Sequence, residues 1–124
     1  MSSASELPTH VQERLLRLQQ LQRSLQAVLT QKQQVELELT ENEQALGELD
    51  NLTEDAVIYK SIGSLLVKAE KIKVEAELKE RKDLLDTRVK VLTKQEERFR
   101  SQLSQLQTKL KRDLGPAISG SPSP

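Results

Sequence analysis

Ile58-Tyr59-Lys60-Ser61-Ile62-Gly63-Ser64-Leu65-Leu66-Val67-Lys68 decides the fold, because β-branched and aliphatic residues crowd here around a Gly-Ser pair. Side chains of that kind suit an extended, half-buried strand, and Gly-Ser supplies a turn. The stretch predicts a β-hairpin with strands near 57–61 and 65–69, turning at Ile62-Gly63-Ser64. Val57, Tyr59, Leu65 and Val67 have one parity, and Ile58, Ile62 and Leu66 the other, so apolar groups are expected on both faces. A lone hairpin is marginal in water and leaves two edges unpaired. Either it plugs the base of the neighbouring helices or it joins other chains. On the second reading Val57, Ile58, Tyr59, Ile62, Gly63, Leu65, Leu66 and Val67 are the oligomerisation residues.

Working outward, a heptad repeat lies on each side. The first reads Leu18, Leu21, Leu25, Val28, Lys32, Val35, Leu39, Asn42, Leu46, Leu49; the second reads Leu78, Lys82, Leu85, Val89, Leu92, Glu96, Phe99, Leu103, Leu106, Leu110. Steps of three and four make a narrow apolar seam on a helix, and one partner helix is enough to cover it. The repeats mirror each other about Ile62 and Gly63. The fold class that follows is mainly α, an antiparallel two-helix coiled coil with a central β-hairpin that joins an oligomeric platform. Helices over 9–50 and 70–114 would each be roughly 60–70 Å long at about 1.5 Å per residue. Layers whose residue numbers total 124 pair Leu18 with Leu106, Leu21 with Leu103, Leu25 with Phe99, Val35 with Val89, Leu39 with Leu85 and Leu46 with Leu78. The same alignment sets Asn42 against Lys82, Lys32 against Leu92 and Val28 against Glu96. Polar residues in a seam penalise slipped alignments, or else their stems simply lean outward. A slip of seven stays open.

Chain punctuation divides the sequence into a flexible 1–8, a first helix 9–50, a loop and hairpin 51–69, a second helix 70–114 and a disordered tail 115–124. Thr9 and Gln12 have capping-box spacing. Asn51 suits a left-handed helix closure, and Leu114-Gly115-Pro116 suits another. Gly47 lies inside the repeat and weakens it by about 1 kcal/mol relative to alanine.

Composition narrows the function classes. Charged residues make up 31% of the chain, and Tyr59 and Phe99 are its only aromatics, so a thin seam is the core it can build. Nineteen basic residues match nineteen acidic ones. We read them as interspersed, without the basic stripe that nucleic acid needs. There is no cysteine, no long apolar run and no leader pattern, from which a soluble, cytoplasmic protein is expected. Asn51-Leu52-Thr53 is read as loop chemistry. His10 is the only histidine, and no phosphate-cradling loop or nucleophile elbow is present, so no enzyme, metal or cofactor is expected.

The string 58–68 between two heptad helices resembles the central segment of beta-type subunits of the prefoldin family. Gln31-Lys32-Gln33, Leu92, Gln95 and Glu96 extend the resemblance, which covers roughly residues 9–115. It implies an α2β4 hexamer with alpha-type subunits and further copies of this chain. Hairpins would form a double β-barrel platform, and coiled coils would hang from it. It also implies an ATP-independent holdase that captures unfolded proteins and passes them to a group II chaperonin, without nucleic-acid or membrane partners. Leu7, Val11, Leu15, Leu16, Leu110 and Leu114 at the free ends are the expected client-binding residues. A self-assembling scaffold or a tethering adaptor is the competing reading of the same coiled coil.

Overall fold

The computed structural model describes residues 7–119. The elements run α1 (Thr9–Asp50), β1 (Ile58–Ile62), β2 (Leu65–Ala69) and α2 (Lys71–Ser119), so two long helices flank one antiparallel two-stranded ribbon. The chain divides into two compact units, Met1–Thr30 with Leu92–Pro124, and Gln31–Val91.

In the first unit the helix segments run in opposite directions. Asp113 on α2 accepts a hydrogen bond from Arg14 and lies 3.8 Å from His10 Nε2, while Arg17 and Leu21 share a groove with Gln102, Leu106 and Lys109. Val11, Leu21, Val28, Leu92, Leu103 and Leu110 are buried, and Leu18, Leu25, Phe99 and Leu106 are half-buried. Each helix has one neighbour here, so the seam is the only place where side chains leave water. Leu21 and Leu103, partners in the 124 alignment, are 2% and 9% exposed.

The first turn is closed differently from the expected capping box. The Pro8 carbonyl accepts from the Val11 and Gln12 amides at 3.0 and 3.1 Å, and the Gln12 side chain donates to the Leu7 carbonyl at 2.7 Å. Proline fixes the incoming chain so that its own carbonyl opens the helix, which leaves Gln12 an acceptor upstream. At the other end the first helical path of α2 closes at Leu114 on a left-handed Gly115, as expected, and a short further helical stretch follows. Gly115, with φ 71° and ψ −177°, breaks the helical path, and helical structure resumes to Ser119. Pro116 permits this, because a proline is tolerated in the first turn of a helix. The rest of the expected tail, and residues 1–6, lie outside the described residues.

In the second unit Val35, Leu49 and Leu85 are buried, and Leu39, Leu46 and Leu78 are half-buried. Arg81 bonds Glu38 at 3.2 Å, and Lys82 lies 4.0 Å from Glu43. Exposed pairs of this kind add little stability, but they mark the antiparallel alignment within the unit. Asn42 is 5% exposed, and its Oδ1 has no hydrogen-bond partner. α1 ends without a left-handed residue, since no residue other than glycine has positive φ. The Asn51 amide donates to Glu48 O at 3.2 Å and the Leu52 amide to Leu49 O at 3.1 Å, a tightened last turn in place of the expected left-handed closure.

Gly47 sits on the exposed side of α1, and a Cβ added there would meet nothing within 4 Å. Gly47→Ala should therefore raise unfolding stability by about 1 kcal/mol through the lost freedom of the unfolded chain, read as a higher urea midpoint at constant slope. Asn42→Leu should raise unfolding stability by about 1–3 kcal/mol and the midpoint with it, because an unsatisfied buried carbonyl is replaced by an apolar group. A lowered midpoint for that variant would mean that the Asn42 carbonyl is satisfied in solution.

Candidate functional site

The hairpin is held at its root by one buried cation. Lys71 opens α2 and is only 9% exposed; its Nζ donates to the Leu52 carbonyl at 2.8 Å and lies 3.6 Å from both Glu54 Oε1 and Glu75 Oε1. A positive charge at the carbonyl end of α1 is favoured by the helix dipole, and it satisfies a carbonyl that the helix leaves open. Between α1 and β1, the Ala56 amide donates to Thr53 O at 3.1 Å. The Thr53 hydroxyl beside Asp55, followed by the Asp55 backbone amide, holds that carboxyl below its usual range. These bonds order residues 51–57 as they enter β1.

The ribbon itself turns on two residues. Ile62 pairs with Leu65, so Ile62 belongs to the strand and the loop is Gly63-Ser64 alone. Gly63 has φ 57° and Ser64 is not left-handed, the pattern of a type II′ turn, whose first position a side chain would strain. This moves β1 one residue on from the expected 57–61. It also corrects the sorting of faces. Directly opposite residues share a face, and each pair joins an even number to an odd one, so parity switches across the turn. One face carries Ile58, Lys60, Ile62, Leu65, Val67 and Ala69; the other carries Tyr59, Ser61, Leu66 and Lys68.

Both faces stay largely in water. Val57, Tyr59, Ile62, Leu65, Leu66 and Val67 are 43–73% exposed, and only Ile58 and Ala69 at the root are half-buried. Leu52 and Ile72 add exposed apolar surface beside the root, which the strand pattern did not reveal. Lys71 was also missed, although it lies seven residues before Leu78 on the seam spacing. Among the described residues the sheet has two strands only, so each strand leaves an outer edge unpaired. Lys60 Nζ reaches Glu77 Oε2 at 2.6 Å and ties the ribbon to α2. Such a surface offers apolar burial and backbone hydrogen bonds, and no acid–base or metal chemistry. Among the described residues no cluster could hold a metal ion, and no helix is long and apolar enough to cross a membrane.

The residues expected to bind clients are distributed unevenly. Val11 and Leu110 are buried at 1% and 5% exposure, Leu7, Leu15 and Leu114 are half-buried, and Leu16 is exposed. The seam reaches the end of the first unit, so Val11 and Leu110 meet another chain only if that end opens.

This geometry has close relatives. The model of a family described as prefoldin subunit matches residues 12–117. The chain is 48% identical over 112 residues to a prefoldin subunit beta of Methanothrix thermoacetophila, covering 90% of this chain and 93% of that one. It is 42% identical to a prefoldin subunit beta of Thermococcus kodakarensis, covering 92% and 97%. Among solved structures, the prefoldin beta subunit from Thermococcus strain KS-1 superposes with a TM-score of 0.82 at 43% identity, covering 89% of this chain and 96% of that one.

Lys71→Met keeps the aliphatic stem and removes the donor from Leu52. Unfolding stability should fall by about 1–3 kcal/mol. Amide exchange in 52–57 should accelerate with it. Unchanged exchange in that loop would show that Lys71 does not hold the hairpin root.

Proposed function

Because the chain belongs to the prefoldin family, among its beta-type subunits, and is thus a prefoldin-type chaperone subunit, we propose that its ribbon builds a hetero-oligomeric platform. The partners are alpha-type subunits and further copies of this chain, in an α2β4 hexamer. The complex acts in the cytoplasm as an ATP-independent holdase and hands unfolded proteins to a group II chaperonin.

The observation that carries this reading is the exposure of Val57, Tyr59, Ile62, Leu65 and Leu66 on a ribbon with two open edges. Full burial of an aliphatic side chain is worth about 1.5–3 kcal/mol. Five such residues give on the order of 10 kcal/mol, and association costs about 4–15 kcal/mol, so one pairwise contact nearly cancels. A closed ring of ribbons changes the balance, since each ribbon then buries both faces and pairs both edges. At the far ends, Leu16 is available at once, and the buried leucines become available when the end frays. A single leucine patch binds weakly, and several ends acting on one client raise avidity without any new contact.

Native mass spectrometry of the chain alone, and after addition of an alpha-type subunit, tests the proposal. A six-subunit species should form only in the mixture. That species should suppress aggregation of a denatured protein without nucleotide, and Leu65→Lys should abolish both results while leaving helical content intact. A stable monomer that never assembles, or open-ended self-assembly of the chain alone, would overturn the reading.

A further inference from the structure

The seam does not stay apolar to its free end. In the alignment whose residue numbers total 124, Val11 falls opposite Asp113 and Arg14 opposite Leu110, so two neighbouring layers each set a charged residue against an apolar one. Val11 and Leu110 are nevertheless buried, at 1% and 5% exposure. The two charges meet across the layers: Arg14 Nη1 donates to Asp113 Oδ2, and Asp113 Oδ1 lies 3.8 Å from His10 Nε2. Further in, an aliphatic pair such as Leu21 with Leu103 closes its layer by apolar burial alone.

Neither charge suits the helix that bears it. Asp113 stands in the last turn of α2 before the break at Gly115, where a helix leaves carbonyls open and disfavours an anion. His10 and Arg14 stand in the first two turns of α1, where amides are left open and a cation is disfavoured, and the first turn holds no acidic residue. Exchanging the signs of Arg14 and Asp113 would suit both helices and still make an ion pair. The arrangement present ties each end to the other. When the pair parts, each helix keeps a charge that opposes its own dipole, and both ends fray together.

We propose that Arg14 and Asp113 form an autoinhibitory latch on the client-binding end, and that Val11 and Leu110 are the surface it withholds. The latch rests on the holdase reading above. Closed, it leaves Leu16 exposed and keeps Val11 and Leu110 covered; open, it offers those two to an unfolded chain. Apparent affinity for a client is then the intrinsic affinity scaled by the fraction of ends that stand open. An ion pair near the surface is weak, which the role requires, since a client has to compete with it. A purely structural pair would behave in the opposite way: loosening it would weaken the end and its grip on clients together.

The test uses the hexamer assembled with an alpha-type subunit, and fluorescence anisotropy with labelled, reduced and carboxymethylated lactalbumin as a permanently unfolded probe. Arg14→Asp and Asp113→Arg each set like charges together. Both should speed amide exchange in 9–15 and 108–114 and bind the probe about fivefold more tightly, the population released by losing a surface ion pair. The two variants shift net charge in opposite directions, so a plain electrostatic effect on the probe would move their affinities apart. Arg14→Asp combined with Asp113→Arg restores the pair with signs that suit both helices; exchange should slow and binding weaken below the wild type. Native mass spectrometry should find six subunits in every case, because the ribbon belongs to the other unit. Single variants that bind no better than the wild type, or that diverge in affinity, overturn the latch and leave the holdase standing. A double variant that binds as tightly as the single ones, or fails to assemble, also overturns it. Failure of the wild-type hexamer to bind the probe overturns the holdase reading and the latch with it.

Discussion

A seam one helix wide is the constraint from which the rest follows. Apolar residues at alternating steps of three and four leave a stripe that one partner helix covers, and within each unit nothing else is available to be covered. Leu21 and Leu85 fall to 2% and 1% exposure, while Leu37, Leu84 and Val91, off the stripe, keep half or more of their surface in water. The same geometry dictates the state of the ribbon. Among the described residues no second layer shields Ile62, Leu65 or Leu66, and five-residue strands cannot close on themselves. The exposed ribbon is therefore a consequence of the coil, and a partner is the only remaining way to bury it.

Most of the fold was legible because period and punctuation are local signals. The 3–4 alternation marks the side of each helix that is covered, and the Gly-Ser pair marks the turn. Failures occurred where a second contact, local or distant, outranked the preference of one residue. Asn51 suits a left-handed closure, but Lys71, distant in sequence, satisfies the Leu52 carbonyl and the chain leaves α1 through a tightened turn. Thr9 and Gln12 have capping spacing, yet Pro8 presents its carbonyl first. The faces of the ribbon were missorted because parity depends on loop length, and a two-residue loop reverses it. The ion pair at the free end was hidden for another reason. Arg14 and Asp113 are far apart in sequence, so only the fold brings their charges to one place.

Among the described residues each unit buries one side-chain carbonyl without a partner. Asn42 lies in the seam with an unsatisfied carbonyl, a local cost to the packing of the second unit. Gln102 lies off the seam, and its Oε1 is likewise buried without a partner. Sequence composition counts both merely as amides among many glutamines and asparagines. Burial combined with the absence of a partner is what separates them.

The balanced net charge conceals a division between the two units that bears on how assembly would be driven. The unit that carries the ribbon holds fourteen acidic residues against ten basic ones, so gathering several such units on a common platform brings like charge together. Coulombic attraction cannot be the main force for that step. Lys60 with Glu77, and Lys71 with Glu54 and Glu75, neutralise part of the excess near the ribbon, where units would come closest. What remains is screened over about 8–10 Å at physiological salt, whereas the apolar contribution of the ribbon is not screened. Added salt should thus leave such a platform intact or strengthen it.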